Sequence, residues 1–381
     1  MKNNQAPWPR QAIRDLCRQV TSGGTPSRAR PDYYVQSGVP WVKTQELRDR
    51  VIRDTLEHIS RDALKASAAK VLPEGTVLVA MYGATAGQLG LLGRPMTCNQ
   101  ACCALIPDPG RCDGRYLFYS LLYERQRLRS LASGAAQQNL NVGTIGRLEI
   151  AVPPLDQQKR VVAILGGLDE QLDLNRRTSD TIQALVDAKF AADLSSGRDT
   201  VTLGEIANIT MGQSPPGSTY NSDEVGLPFY QGSSDFRSRF PARRIYCTAP
   251  TRVAQAGDVL VSVRAPVGAL NLADVECGIG RGVAAISERA GLKSYLYYLM
   301  RATRGGWDQF NAVGTVFGAV TKDGANGFPV PRHSETEKAT FDDWARPFDE
   351  LIAANTRENR LLAELRDGLL PELISGRMTV N

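Results

Sequence analysis

Residues 168–194 have a copy 180 positions downstream, and a chain that carries one long helix twice can fold in only a few ways. Leu168-Asp169-Glu170 is followed by Asn175 and Arg177; Phe348-Asp349-Glu350 is followed by Asn355 and Arg357 at the same spacings. Apolar residues recur with gaps of four and three in both copies: Leu168, Leu172, Ile182 and Val186, then Phe348, Ile352 and Leu362. Such spacing forms the seam of a heptad-type helix pair. Asn175 and Asn355 fall on that seam. A polar residue there costs stability but fixes register, because a slipped pairing leaves its amide unsatisfied. The two helices are expected to pair antiparallel and to hold two other domains apart.

The sequence ahead of each helix is duplicated too. Residues 20–26 recur as 209–215, 39–43 as 227–231, and 74–79 as 256–261. The loop 82–87 is replaced by 264–268, and the amphipathic stretch 115–130 by 293–304. Five corresponding segments in one order, three of them restated in sequence, make a tandem repeat. The fold class expected is α+β: two twisted-sheet domains and two long paired helices, with pseudo-twofold organisation. The boundaries drawn are 1–152 and 198–330 for the sheet domains, and 153–197 and 331–381 for the helical regions. Each helical region begins after prolines that stop a strand (Pro153-Pro154, and Pro329 with Pro331). A short lead-in then meets a breaker, Gly166-Gly167 or Pro347. Glycine costs about 1 kcal/mol and proline about 3 inside a helix, so a kink is expected at both places. Pro371 is expected to tighten or break the last turn. At ~1.5 Å per residue, 168–194 would span about 40 Å, close to one ~34–36 Å turn of duplex DNA.

Charge narrows the partner. Residues 156–195 carry −2 and residues 335–381 carry −4, against +5 for the whole chain, which leaves +11 on the two sheet domains. That excess suits contact with a polyanion. No apolar run is long enough to span a membrane. Seven cysteines without a secretory leader read as reduced thiols of a cytoplasmic protein. Cys98, Cys102 and Cys103 are expected in the core rather than on zinc, and Trp41, Trp307 and Tyr295 to Tyr298 in the core as well.

Catalytic signatures are missing. The chain has two histidines, His58 and His333, too few for His-based triads or His-rich metal sites. Gly291-Leu292-Lys293-Ser294 is not a phosphate loop, and the glycines from 278 to 282 lack the dinucleotide spacing. No Asn/Asp-Pro-Pro-aromatic methyltransferase motif occurs. Glu335-Thr336-Glu337-Lys338 reads as the charge pattern of a helix start rather than as half of a nuclease site. No catalytic residue and no metal site are expected.

At this point the residues match a known family. The chain resembles the DNA-specificity subunit of type I restriction–modification enzymes. The carriers are residues 153–159 (Pro-Pro-Leu-Asp-Gln-Gln-Lys), Asp169-Glu170, and residues 369–377 ending in Ser-Gly-Arg. Residues 138–141, and 314–317 with Lys322, resemble motifs late in each recognition domain. One departure is the second helical region, which opens without the Gln-Gln pair and contains Pro347. The resemblance implies two recognition domains that each read half of a split double-stranded DNA site. It also implies helices that dock two copies of an adenine methyltransferase, and a restriction/translocase subunit. Asp169, Asp349, Glu170, Glu350, Asn175 and Asn355 would be kept for that docking. S-adenosylmethionine, ATP and Mg would belong to the partner subunits.

Phosphate contacts are then expected from Arg28, Arg30, Lys43, Arg48 and Arg50 in the first domain, and from Arg237, Arg239, Arg243, Arg244 and Lys322 in the second. Base readers are expected among Thr44, Tyr82, Gln137 and Gln138, then Gln231, Ser233 and Arg264, because long polar side chains can bond two groove atoms at once. Two alternatives stand beside this: a stand-alone nuclease or other DNA-binding protein with duplicated recognition domains, and a repetitive scaffold with no DNA role.

Overall fold

Short strands buried along their whole length set the architecture. The computed structural model describes residues 8–131, 139–193, 199–311 and 318–380. It divides into two compact units, Met1–Leu174 with Asn359–Asn381, and Asn175–Glu358. Each unit contains one sheet block and a segment of each long helix.

In the first unit every residue of Val77–Ala80 is buried. This strand lies between Cys102–Pro107 and Leu89–Leu92, with Cys17–Ser22 and Arg50–Ile52 at the edges. Alternate side chains leave the two faces of this sheet. Val77, Val79, Leu89 and Leu91 pack with Tyr116 and Leu117 of the helix Gly114–Tyr123. Leu78, Ala80 and Leu92 face the opposite way, onto Cys98, Cys102 and Ala104. The three neighbouring cysteines, Cys98, Cys102 and Cys103, are thus fully buried in core. Burial pushes the Cys103 thiol up to about 12. A second sheet orders Tyr34–Val35, His58–Ile59, Val39–Val42 and Thr97–Cys98. Asp113 caps the covering helix by accepting from Arg115 N (2.8 Å) and Tyr116 N (3.1 Å).

The second unit repeats four of these five strands in the same order, Ala207–Met211, Val283–Glu288, Val259–Ser262 and Leu270–Leu272, without a counterpart of Arg50–Ile52 among the described residues. Its second sheet runs Tyr220–Asn221, Tyr246–Cys247, Leu227–Tyr230, Cys277–Ile279 and Val253–Ala254. The helix Lys293–Ala302 covers the first sheet, with Tyr295, Tyr297 and Tyr298 each 1% exposed. The repeat in sequence is therefore a repeat of topology, and the protein is α+β.

Two long helices complete the units, Leu155–Asp193 and Glu335–Ile374. They pack together antiparallel. Within the first unit Arg366 Nη1 donates to Asp169 Oδ1 (2.9 Å). Within the second, Asn175 Nδ2 donates to Glu358 Oε2 (3.0 Å), Asn355 Nδ2 to Ser179 Oγ (3.2 Å), and the rings of Phe190 and Phe341 lie 4.9 Å apart. The seam residues Leu172, Val186 and Ile352 are at most 3% exposed, and Leu168, Ile182, Phe348 and Leu362 are half-buried.

Two expectations are corrected here. Gly166-Gly167 and Pro347 do not divide the helices, each of which is continuous. Val161, Leu165 and Leu172 anchor the glycine pair on both sides, as Phe341, Ala345 and Ile352 anchor Pro347, all buried. Several such side chains at about 1.5–3 kcal/mol each outweigh ~1 for a glycine or ~3 for a proline. Asn175 bonds Glu358 and Asn355 bonds Ser179, each on the opposite helix. Finally, Asp169 and Asp349 do not lie on an outer face. Tyr119 O–H donates to Asp169 Oδ2 (2.7 Å) and Tyr298 O–H to Asp349 Oδ1 (2.9 Å), so the duplicated acids anchor each covering helix. Glu170 and Glu350 are the exposed members of the pairs.

The Gln-Gln motif is also internal. Gln158 is fully buried; its Oε1 accepts from Asp113 N (2.9 Å), and its Nε2 donates to Arg111 O (3.2 Å) and Pro153 O (2.9 Å). In the second copy Lys338 stands 180 positions on, 5% exposed and bonded to Glu335 Oε1 (2.8 Å).

Candidate nucleic-acid interface

Backbone hydrogen bonds align the two units residue by residue. Gly23 N donates to Cys102 O (3.3 Å) and Gly24 N to Cys98 O (2.9 Å), as Gly212 N does to Val283 O (2.9 Å) and Gln213 N to Ile279 O (3.0 Å). Asn99 N to Val42 O (2.9 Å) is matched by Gly280 N to Tyr230 O (2.8 Å). Met81 N to Ala101 O (2.9 Å) is matched by Val263 N to Gly282 O (3.0 Å). Four positions at the strand ends therefore correspond: Thr25 with Ser214, Lys43 with Gln231, Tyr82 with Arg264, and Gln100 with Arg281. The segments that follow close both sites alike, Leu140 N donating to Met81 O (2.8 Å) and Val320 N to Val263 O (2.9 Å). Asn141 and Thr321 then cap the short helices Val142–Arg147 and Lys322–Asn326.

In the second unit Ser214, Gln231, Ser233, Arg264 and Arg281 line a cavity of about 340 Å³. Backbone meets backbone beneath it. A Cβ on Gly282 would lie 2.2 Å from Gln231 O, and one on Gly212 would lie 2.2 Å from Gly280 O. Among the described residues, no carboxylate lines the cavity. The nearby acid, Asp235, is buried, bonded to Arg244 and accepting from Gln231 N (3.3 Å). Gln231, Ser233 and Arg264 are three of the base readers expected from the sequence, and the fold brings them together. Ser214 and Arg281 were not expected. Aligning 97–102 with 278–283 would have found Arg281, since its glycine neighbours mark the close approach.

The first unit presents different chemistry on the same scaffold. Thr25 bonds Gln100, Tyr82 is 43% exposed, and Lys43 is tied to Glu57. Thr44 opens the turn Thr44–Glu46 beside Lys43. Gln137 and Gln138 lie outside the described residues, as do 314–317.

The expected phosphate contacts separate sharply. Arg239 is 5% exposed and bonded to Asp349, Gln183 and Tyr298, which makes it an internal cation and corrects its assignment to DNA. Arg243 pairs with Asp274 (2.7 Å), and Arg244 with Asp235. Arg237 donates to the carbonyls of Ser234 (3.1 Å) and Phe236 (2.7 Å) and is exposed, like Lys322. Arg30 pairs with Asp32 (2.6 Å). Arg28 pairs with Glu57 (2.8 Å) and lies 4.0 Å from the Tyr34 ring centre. Arg48 and Arg50 are exposed and have no acidic partner among the described residues.

Comparison with known proteins agrees with this geometry. Residues 6–184 match the family model of the type I restriction modification DNA specificity domain. A Methanocaldococcus jannaschii protein named for the specificity subunit of type I restriction enzyme MjaX is 27% identical over 301 residues, covering 72% of this chain and 71% of that one. The MjaIX specificity subunit of the same organism is 21% identical over 98% of this chain and 94% of its own length. The crystal structure of a type I S subunit from M. genitalium, 18% identical, aligns over 98% of both chains with a TM-score of 0.64 and shares the fold. In sequence and fold the chain is similar to type I specificity subunits. Among the described residues, no helix is long and apolar enough to cross a membrane.

One pair of cations in the first unit is held back by an acid. Hydrogen bonding from Lys43, then Arg28, keeps the Glu57 carboxyl below the usual carboxylate range. A depressed carboxyl stabilises the fold above its unfolded pKa, and that contribution is lost as pH falls through the folded value. Glu57→Gln removes the competitor at every pH. In the assembled complex it is expected to steepen the salt dependence of DNA binding by about one unit in log–log slope. An unchanged slope would place Arg28 and Lys43 away from phosphate.

Proposed function

We propose that this chain is the non-catalytic, sequence-reading subunit of its complex, each unit reading one half of a bipartite, asymmetric DNA site. The observation that carries this is the matched scaffold with unmatched side chains. Hydrogen bonds place Thr25, Lys43, Tyr82 and Gln100 where Ser214, Gln231, Arg264 and Arg281 stand. Two copies of one reader would need the same residues; readers of different half-sites need the same backbone with different donors and acceptors. The two long helices set the spacing between half-sites and dock two adenine methyltransferase subunits. Leu174, Leu361 and Leu365 of one unit, and Leu185 and Leu351 of the other, are 45–66% exposed on those helices. Exposed leucines on a helix surface support a protein partner there. S-adenosylmethionine and methyl transfer belong to that partner, with ATP and Mg on a translocase subunit.

The test is an adenine-methylation map of DNA exposed to the methyltransferase with and without this chain. With it, methylation is expected in a two-part motif of unequal halves separated by a fixed spacer; without it, no motif. Methyl transfer or metal-dependent cleavage by the purified chain alone would overturn the reading.

A further inference from the structure

The second unit's cavity differs from the carboxylate-paired arginine sites of the same unit. Arg239, Arg243 and Arg244 each carry a carboxylate. Arg264 and Arg281 are exposed, face one cavity, and have no acidic partner among the described residues. Among the described residues, the other polar side chains lining it are Gln231 and the serines 214, 233 and 234. The site is therefore rich in donors.

We infer that Arg264 and Arg281 make this cavity a guanine-reading site, with Gln231 and the serines orienting the base pair. The inference deepens the proposed function and rests on it. In the major groove guanine presents two acceptors, N7 and O6, which match the two parallel N–H groups of a guanidinium. Cytosine presents an amino donor there, and adenine pairs a donor with its acceptor, so two guanidiniums without a carboxylate disfavour both.

The backbone supports reading rather than loose charge attraction. Arg281 sits between Gly280 and Gly282. Gly280 N is bonded to Tyr230 O (2.8 Å), and Gly282 O accepts from Val263 N (3.0 Å). Arg281 N approaches Ser214 Oγ (3.4 Å). Arg264 follows Val263, whose carbonyl accepts from Val320 N (2.9 Å), and Ala265 N donates to Gly318 O (3.2 Å). Both guanidiniums thus leave backbone that is bonded on each side, which places them for a fixed base edge. The matched positions of the first unit hold Tyr82 and Gln100, so the guanine requirement belongs to the second half-site alone.

The experiment methylates a library of randomised sites with the complete methyltransferase complex. It compares the unaltered chain with Arg264→Lys, Arg281→Lys and the double lysine variant. Lysine keeps the charge for a phosphate but loses the planar fork. The unaltered complex is expected to demand guanine at one or more positions of one half-site. The double variant is expected to relax that demand by roughly 5- to 150-fold, the range for one bidentate pair, with the other half-site and the salt dependence unchanged. A half-site without guanine would overturn the assignment. So would lysine variants that keep the base preference, since the arginines would then be phosphate contacts. If the unaltered complex yields no bipartite motif, the proposed function itself fails.

Discussion

Replacing Arg239 by alanine is expected to destabilise the second unit by about 3–5 kcal/mol, the cost of leaving one member of a buried ion pair alone. Arg239 is 5% exposed, and its guanidinium carbon lies 4.4 Å from the Tyr297 ring centre. Its Nη1 donates to Gln183 Oε1 (2.6 Å) and to the Tyr298 hydroxyl (3.2 Å), and its Nη2 pairs with Asp349. Alanine strands the Asp349 carboxylate, 14% exposed, with the Tyr298 hydroxyl as its remaining donor among these groups. Arg239→Lys recovers little, because one ammonium cannot reach the same set of acceptors through a planar fork. Replacing both partners with apolar residues, Arg239→Met with Asp349→Leu, is expected to recover most of the loss, since no charge is then buried alone. Denaturant unfolding of the full chain measures all three, and Arg237→Ala, at an exposed neighbour, sets the scale at within about 0.5 kcal/mol. If Arg239→Ala behaves like Arg237→Ala, the residue is not an internal strut.

A matched pair of alanine substitutions tests the proposal that each unit reads one half-site, each substitution being expected to disable one unit. A Cβ on Gly23 would lie 2.1 Å from Cys98 O and 2.4 Å from Asn99 O; one on Gly212 would lie 2.2 Å from Gly280 O and 2.6 Å from Val283 O. All four neighbours are backbone, so no side chain can swing aside, and two strands must separate. The cost belongs at the upper end of the ~1–3 kcal/mol seen for overpacking. Gly24 and Gln213, the next residues, donate the hydrogen bonds that hold each site together. Gly212→Ala is expected to abolish discrimination at the second half-site and Gly23→Ala at the first, each leaving the other half intact. Gly217→Ala is the control, with nothing within 4 Å of its added carbon. The methylation map reads both outcomes. Loss of both half-sites from one substitution would mean that the units do not read independently.

Much of the fold was legible in the sequence, and for local reasons. Val77–Ala80 and Val259–Ser262 stand out because a central strand buried on both faces must be apolar throughout. The paired helices stand out because a stripe with gaps of three and four recurs. Other features were misread because a local rule met a distant force. Gly166, Gly167 and Pro347 are helix breakers by propensity, yet the helices that hold them are continuous, because the neighbouring turns are buried in the cores of the units. Asp169 and Asp349 were assigned to a docking face because they are duplicated. Their duplication instead follows from Tyr119 and Tyr298, which need the same acceptor in each unit.

By itself the sequence determined that this protein is a tandem repeat of sheet domain and long helix, basic on the domains and acidic on the helices. Periodicity, apolar runs and net charge are properties of neighbouring residues, so they can be read along the chain. Only the tertiary structure decided which cations are available. Arg239 and Arg264 are the same residue type in similar polar stretches. One is paired with Asp349, 110 positions away, and buried; the other stands with Arg281 at a cavity that no acid among the described residues lines. Charge pairing acts through space, and no local pattern records which carboxylate a folded chain will bring to a given arginine.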